Sequence, residues 1–489
     1  MNRAAQRADI RPMREYDLVC IGCGPAGEKA ATQAGYFGYQ VAIVEREACP
    51  GGAMVNTGTI ASKALRETAL LCSAFRRRPL PGLEYMVNRE LSVTKLMAQR
   101  YRVQYQEHDR IESSIDREQI DVHRGRGRIA DAHTVSVEGV DGQTTTLKAK
   151  FILIATGSSP VRPEHIPFDH PSVVDADGIL ELTAIPSSML VVGGGVIGCE
   201  YACMFSEIGV KVTLVDPRQG LLPFLDPECR DHLLRAMTDE GIDVRLNASV
   251  KTVKSLGDES VSAELDDGDE IRCDVLLWSA GRSSNTQDIG LDQVKIKTGQ
   301  RGLVIVNEHY QTNVPSVYAA GDVIGFPALA STSMEQGRVA ACHMFGIEFK
   351  KKLADTLPIG LYTIPAISMV GMTEQQAAEA GREFVVGRAL YRYNVRGRML
   401  GDEEGIVKCV FDRRSRRLLG TTIVGQDATE LIHLAQFAIT SDAGIDYFIN
   451  ACFNYPSLAE LYKYAAYDAL QAIAGRQGRR QPQSRDQAA

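Results

Sequence analysis

Gly22, Gly24 and Gly27, within Gly22-Cys23-Gly24-Pro25-Ala26-Gly27, space three glycines so that a backbone without Cβ atoms can turn from a strand into a helix. The same spacing recurs at Gly193, Gly195 and Gly198, within Gly193-Gly194-Gly195-Val196-Ile197-Gly198. Such a turn lets a pyrophosphate approach the first N–H groups of a helix, where the peptide dipoles favour an anion. An acid follows each copy at the same distance: Glu45 lies 23 residues after Gly22, and Asp216 lies 23 residues after Gly193. A carboxylate placed there accepts hydrogen bonds from ribose hydroxyls. The matched offsets say more than either glycine motif alone, and the chain reads as a carrier of two dinucleotides.

The elements around these residues must be strands and helices in alternation. Apolar runs at 17–22 and 189–193 read as the strands that feed the two turns, and residues 16–45 read as a βαβ unit. The turn Cys49-Pro50-Gly51-Gly52 leads into helical readings at 62–75 and on to about 114. Alternating segments at 122–140 and 144–150 suit a β-meander, and Phe151-Ile152-Leu153-Ile154-Ala155-Thr156-Gly157 reads as a buried strand ending at a glycine. A second βαβ unit sits in 158–281, a segment inserted within the first domain. It ends at Asp274-Val275-Leu276-Leu277-Trp278-Ser279-Ala280-Gly281. Val317-Tyr318-Ala319-Ala320-Gly321-Asp322 is then a strand with a terminal carboxylate, and a helix follows from about 331. From 357, alternating strands precede amphipathic helices, an α+β unit distinct from the nucleotide folds.

A chain of 489 residues with 44% hydrophobic content can bury large cores and suggests about three domains. A net charge of −7 leaves no basic footprint for nucleic acid, and Arg76, Arg77 and Arg78 read as a solvated patch. Residues 1–14 lack the apolar stretch of a secretory signal, and no run reaches the length of a membrane span. The expectation is a cytoplasmic protein with neither a nucleic-acid nor a membrane partner. Eleven scattered cysteines suit buried thiols in a reducing compartment better than a disulfide framework. Cys20 and Cys23 spell C-x-x-C, but one falls in a strand and the other in the phosphate turn, so packing is the preferred reading. The nine histidines show no metal-ligand spacing, and no metal is expected.

Taken together from about 16 to 474, these landmarks resemble the flavoprotein disulfide reductases, the class I pyridine nucleotide-disulfide oxidoreductases that include glutathione reductase and dihydrolipoyl dehydrogenase. The resemblance implies an α/β fold with two Rossmann-like dinucleotide-binding domains, for FAD and NAD(P), and a C-terminal α+β dimerisation domain. The expected boundaries are a flexible tail 1–15, an FAD domain 16–157 with 282–356, an NAD(P) domain 158–281, an interface domain 357–475 and a disordered tail 476–489. For FAD the resemblance implies Gly22, Gly24, Pro25, Ala26, Gly27, Glu45 and Arg46, then Gly52, Thr57, Gly58 and Lys63, and finally Ala155, Thr156, Gly157, Gly321 and Asp322. For the nicotinamide nucleotide it implies Gly193, Gly195, Val196, Ile197, Gly198, Glu200, Asp216, Arg218, Gly281 and Arg282. Gly281-Arg282-Ser283-Ser284-Asn285-Thr286 matches the family's G-R-x-P-N-T segment, with Ser284 in place of proline.

Two family signatures are altered. Where disulfide-reducing members carry G-G-x-C-x-x-x-x-C-x-P-S-K, this chain has Met54 and Thr59 at both cysteine positions and Ala61 at the proline, before Ser62-Lys63. Neither a thioether nor a hydroxyl can exchange with a disulfide, so a dithiol substrate is not expected. Where the family has H-P-T-x-x-E, the chain reads Asn454-Tyr455-Pro456-Ser457-Leu458-Ala459-Glu460, and a phenol is a poor base at neutral pH. Tyr455 and Glu460 are expected to serve packing. Loss of the thiol machinery beside two intact nucleotide motifs is the pattern of a hydride exchanger. It is similar to the soluble pyridine nucleotide transhydrogenases, which generally keep a cysteine at the Met54 position and a proline at the Ala61 position.

What the resemblance implies is ping-pong exchange, NADPH + NAD+ to NADP+ + NADH, through flavin N5. Lys63 and Glu200 would pair beside the flavin and tune it, with no redox cysteine pair. The first turn of the helix from about 331 would face the flavin pyrimidine edge. At the ribose end Asp216 suits NAD hydroxyls and repels a 2′-phosphate, whereas Arg218 suits that phosphate, so the residues leave the nucleotide preference open. A homodimer or higher homo-oligomer is implied. The competing readings are an NAD(P)H:quinone reductase, or diaphorase, and a catalytically decayed flavin-bound interaction protein.

Overall fold

The apolar run after residue 16 belongs to the strand Arg14–Ile21, whose alternation sends Leu18 and Cys20 into one apolar cluster and Val19 and Ile21 into another. A strand buried on both faces needs cover on both, which is why the sheet around it is largely parallel with layers above and below. The computed structural model describes residues 14–77, 93–257 and 259–475. Residues 1–13 of the expected N-terminal tail, the expected tail 476–489 and the side chains of Arg76, Arg77 and Arg78 lie outside the described residues.

The described chain divides into two compact units. One holds residues 14–64, 98–161 and 281–353, and the other holds the described part of 65–97 with 162–280 and 354–475. In the first unit Arg14–Ile21 pairs in parallel with Val41–Glu45 and with the second half of Thr144–Ile154. Asp121–Asp131 and Val317–Ala319 extend the sheet on either side. The meander read at 122–140 and 144–150 is present as Asp121–Asp131, Thr134–Gly139 and the first half of Thr144–Ile154. The meander's last strand and the buried strand beyond it are one continuous strand, because both halves share a single register. Helices Pro25–Tyr36 and Ala330–Phe345 pack through small residues, and the approach is close: a Cβ on Gly337 would lie 2.2 Å from the Ala26 carbonyl oxygen.

In the second unit a five-stranded parallel sheet runs in the order Asp243–Leu246, Lys211–Asp216, Ser188–Val192, Val275–Trp278, Val173–Asp175. A three-stranded antiparallel sheet, Val250–Ser255, Val261–Leu265 and Glu270–Cys273, is inserted in the chain between its strands Asp243–Leu246 and Val275–Trp278. Beyond 357 an antiparallel five-stranded sheet carries helices Ala428–Thr440 and Glu460–Ile473, with Phe411, Ile423, Tyr462 and Ala465 in its core. This part meets the helix Pro227–Asp239 at Lys408, which is 4% exposed and ion-paired to Asp226 (2.8 Å), Glu228 (2.9 Å) and Glu374 (2.8 Å). Arg388 donates to Glu228 at 2.8 Å, and His232 Nδ1 lies 2.8 Å from the Glu404 carbonyl oxygen. The architecture is mixed α/β with two dinucleotide-type parallel sheets and a C-terminal α+β part, as the sequence implies.

Candidate functional site

Both glycine turns form, and they form alike. Gly22 and Gly193 take φ of +106° and +109°, values that L side chains rarely adopt. Gly24 and Gly195 cap the helices Pro25–Tyr36 and Val196–Glu207 in extended conformations with no side-chain hydrogen bond, so the N-terminal N–H groups stay open to a ligand. A Cβ on Gly27 would lie 2.0 Å from the Gly22 carbonyl oxygen, and one on Gly198 would lie 1.8 Å from that of Gly193. The third glycine in each motif is therefore obligatory for helix to close on strand. Pro25 and Ala26 begin the first helix, and Val196 and Ile197 begin the second.

The paired acids repeat one geometry as well. Glu45 ends the strand Val41–Glu45, is 5% exposed, and accepts from the Cys23 N–H at 2.7 Å and the Glu47 N–H at 2.9 Å. Asp216 ends Lys211–Asp216, is 1% exposed, and accepts from the Gly194 N–H at 2.5 Å. Arg218 turns back onto Asp216, donating from its backbone N–H (2.8 Å), Nε (2.8 Å) and a terminal nitrogen (2.6 Å). Burial would raise the Asp216 carboxyl, but these bonds to Arg218 and Gly194 outweigh it and hold the group below its ordinary pKa. Arg46 is exposed and pairs with Glu47.

Around the first turn the sequence-predicted residues converge. A Cβ on Gly22 would lie 2.4 Å from the Ala155 carbonyl oxygen, which puts Ala155-Thr156-Gly157 against the turn. Thr156 donates its hydroxyl to the Asn285 carbonyl at 2.7 Å, and Asn285 returns its amide to the Thr156 carbonyl at 2.9 Å. Ser158 donates to Asp322 at 2.8 Å, and Arg282 donates to Ser158 at 2.9 and 2.7 Å. Gly321 donates its N–H to Gln336 at 2.8 Å. A Cβ on Gly321 would reach Ala26 Cβ at 3.2 Å and Ser333 Oγ at 3.4 Å. Gly281 and Arg282 thus lie in the unit that holds the first fingerprint.

Gly52 crosses the same turn: a Cβ there would lie 2.8 Å from Gly24 Cα, and Gly51 donates its N–H to the Cys23 carbonyl at 2.8 Å. It opens the short helix Gly52–Asn56, which buries Met54 and is followed by Thr57 and Gly58. Thr59 starts the helix Thr59–Arg77, on which Lys63 is half-buried and donates to Ser62 at 3.3 Å. Glu200, 4% exposed and in the other unit, accepts from the Tyr362 N–H at 2.8 Å.

All eleven cysteines are free thiols. Cys20 and Cys23 are 0% and 1% exposed. Burial, then the nearby Glu45 carboxylate, pushes Cys23 up to about 12, so this C-x-x-C is packed and protonated. Tyr455 is 69% exposed in the single chain. Glu460 begins the helix Glu460–Ile473, where an acid suits the dipole.

The residues fit dinucleotides on grounds of this structure. Two helix N-termini are left uncapped, Gly24 and Gly195 open onto space where an added Cβ would meet only Gly52 Cα at 3.9 Å or nothing within 4 Å, and Ser333 Oγ, 1% exposed, has no hydrogen-bond partner among the described residues. The sequence reading missed Asn285 as the brace of Thr156, and it missed Gln336 and Ser279. Ser279 Oγ donates to the Val192 and Gly193 carbonyls at 2.9 and 3.0 Å. Their signal was proximity to quoted motifs, with no spacing rule to single them out.

Residues 16–337 match the family model described as pyridine nucleotide-disulphide oxidoreductase, and residues 357–466 match that family's dimerisation domain. The chain belongs to this family. Three family relatives named soluble pyridine nucleotide transhydrogenase are similar over 94% of this chain. The one from Mycobacterium bovis is 42% identical with 98% of its own length covered. Those from Pseudomonas entomophila and Marinomonas sp. are 40% and 39% identical, each with 99% covered. Among solved structures of the family, LpdA from Mycobacterium tuberculosis superposes with TM-score 0.85 at 26% identity, covering 93% of this chain and 99% of that one. A Cu(II) complex of the flavoprotein disulfide reductase RclA from Escherichia coli superposes with TM-score 0.84 at 25% identity, covering 94% and 100%. Among the described residues no helix is long and apolar enough to cross a membrane.

Proposed function

We propose that this chain is an FAD-dependent NAD(P)+ transhydrogenase that moves hydride from NADPH to NAD+ by ping-pong exchange and uses no redox disulfide. The observation that carries the reading is the doubled cradle: two uncapped helix N-termini, each beside a buried acid bonded to its turn, with Met54 and Thr59 where a cysteine pair would stand. The similarity to relatives named for this activity, close to full length in both chains, supports it.

When bound, FAD supplies a hydride acceptor that one nicotinamide nucleotide fills and another empties. The chain's own work is binding and orientation. Gly22, Gly24 and Gly27 admit the FAD pyrophosphate to the first helix, Glu45 faces the ribose, and Ala155 to Gly157, Gly321 and Asp322 complete that site. Arg46, Gly52, Thr57 and Gly58 are assigned to the same site by their motif positions. Gly193, Gly195 and Gly198 do the same for the nicotinamide nucleotide, with Asp216 and Arg218 at its ribose end and Gly281 and Arg282 assigned to it by motif. Lys63 and Glu200 are each assigned to the tuning of the flavin by their motif positions. No side-chain acid or base is required, in keeping with the exposed Tyr455.

The protein acts as a homodimer or larger homo-oligomer through the part from 357 onward, and it works in the cytoplasm. Initial rates with NADPH and NAD+ varied together test the activity. Parallel double-reciprocal lines are expected. Turnover with a quinone but none with NAD+ would make the protein a diaphorase instead.

A further inference from the structure

The short helix Gly52–Asn56 raises a physical question of its own. One turn of helix has no internal stability, since nucleation is unfavourable and its last carbonyls lack intrahelical donors. Yet it abuts the dinucleotide turn at Gly24, where a Cβ on Gly52 would lie 2.8 Å from Gly24 Cα, and it buries Met54 and Val55. Something must hold it.

Two side chains of the helix Val93–Arg117 do so. Gln104, 8% exposed, donates both Nε2 hydrogens to the terminal carbonyls of the short helix, Val55 at 2.8 Å and Asn56 at 3.0 Å. One turn on, the His108 Nε2–H donates to Asn56 Oδ1 at 2.8 Å. Asn56 in turn points its Nδ2 at the Cys49 and Pro50 carbonyls at 3.5 Å each. On the same face, Ile111 packs under Gly51, where an added Cβ would lie 3.2 Å from its Cδ1. The bonds join the ends of a segment that begins beside the phosphate turn at Cys49 and Pro50 and ends at Asn56, three residues before Thr59.

We infer that Gln104 and His108 are positioning residues of the candidate transhydrogenase site, holding the segment from Gly52 to Gly58 in the register that sets Met54 beside the dinucleotide cradle. The inference rests on the function proposed above for its kinetic consequence alone. Removing the Gln104 amide strands two carbonyls that it bonds, so the segment should open roughly tenfold more often.

The test uses the FAD-loaded full chain with Gln104→Met, which keeps length and apolar bulk, and with His108→Leu and His108→Gln. Hydrogen exchange of the peptide covering residues 52–58 should quicken about tenfold in Gln104→Met and His108→Leu, whereas His108→Gln, which retains a donor, should stay near wild type. The visible spectrum of bound flavin should shift in the same two variants. The kcat for hydride exchange should fall with each nucleotide KM within about twofold, because the nucleotide cradle is untouched. Wild-type exchange, spectrum and kcat in Gln104→Met would overturn the inference. So would equal effects of His108→Gln and His108→Leu. If wild type itself fails to pass hydride from NADPH to NAD+ while the exchange and spectral changes appear, the functional reading falls and the positioning role stands.

Discussion

Replacing Arg218 with alanine isolates the ribose end of the nicotinamide site. The guanidinium spends two donors on Asp216, while the side chain is 44% exposed. Asp216 keeps its bonds from the Gly194 and residue-218 backbone N–H groups without the guanidinium, so the variant should fold. For NADPH the change removes the cation bonded to the acid and leaves a buried carboxylate at the ribose end. A charge-assisted hydrogen bond is worth about 1.5–3 kcal/mol, and solvent screening of a half-exposed arginine keeps the loss near the lower end. We expect kcat/KM for NADPH to fall roughly 10- to 50-fold. NADH has no 2′-phosphate, and its ribose hydroxyls meet an Asp216 no longer shared with arginine, so its kcat/KM should stay within about threefold. Initial rates with each reduced nucleotide and a common nicotinamide-analogue acceptor measure both. An equal loss for the two, or none for either, would remove Arg218 from the phosphate site and refute this reasoning.

Four further outcomes follow from named contacts. Lys408→Met leaves Asp226, 2% exposed, without its ammonium partner. Breaking such a buried pair costs about 3–5 kcal/mol, so Tm should drop by roughly 5–10 °C, and an unchanged Tm would contradict it. The same cluster sets an acid limit. Burial of Glu228 is outweighed by its bonds from Arg388 and Lys408, which pull its pKa down to about 2. The stabilisation is complete above about pH 4.5 and is lost as pH falls toward 2, which acid unfolding of wild type against Lys408→Met would reveal. Alkylation near pH 8 should label the exposed Cys49 and spare Cys23, whose burial keeps its thiol protonated; prompt labelling of Cys23 by mass spectrometry would be inconsistent with that burial. Gly27→Ala pushes a methyl to 2.0 Å from a backbone oxygen that has no room to yield, so the purified protein should carry little FAD by its visible absorbance.

What the sequence made legible was local. The glycine turns could be read because close approach forbids Cβ atoms, and the acids because a strand of fixed length separates them from the turn. The helix read at 62–75 runs Thr59–Arg77, and the one read from 331 begins at Ala330, differences that terminal fraying allows. The contacts that brace the site were not legible. Gln104 meets Asn56 across 48 residues, Asn285 meets Thr156 across 129, and Lys408 meets Asp226 across 182. No local periodicity encodes such pairs, since each depends on how distant elements dock.

The central claim is that one chain loads and unloads hydride at a single flavin without a thiol relay, and an anaerobic stopped-flow experiment on the FAD-loaded protein tests it most directly. NADPH in stoichiometric amount should bleach the flavin absorbance, and NAD+ mixed in afterwards should restore it with an equivalent of NADH formed. Bleaching that NAD+ never reverses would contradict the account, as would a full second pair of electrons taken up before any flavin absorbance is lost.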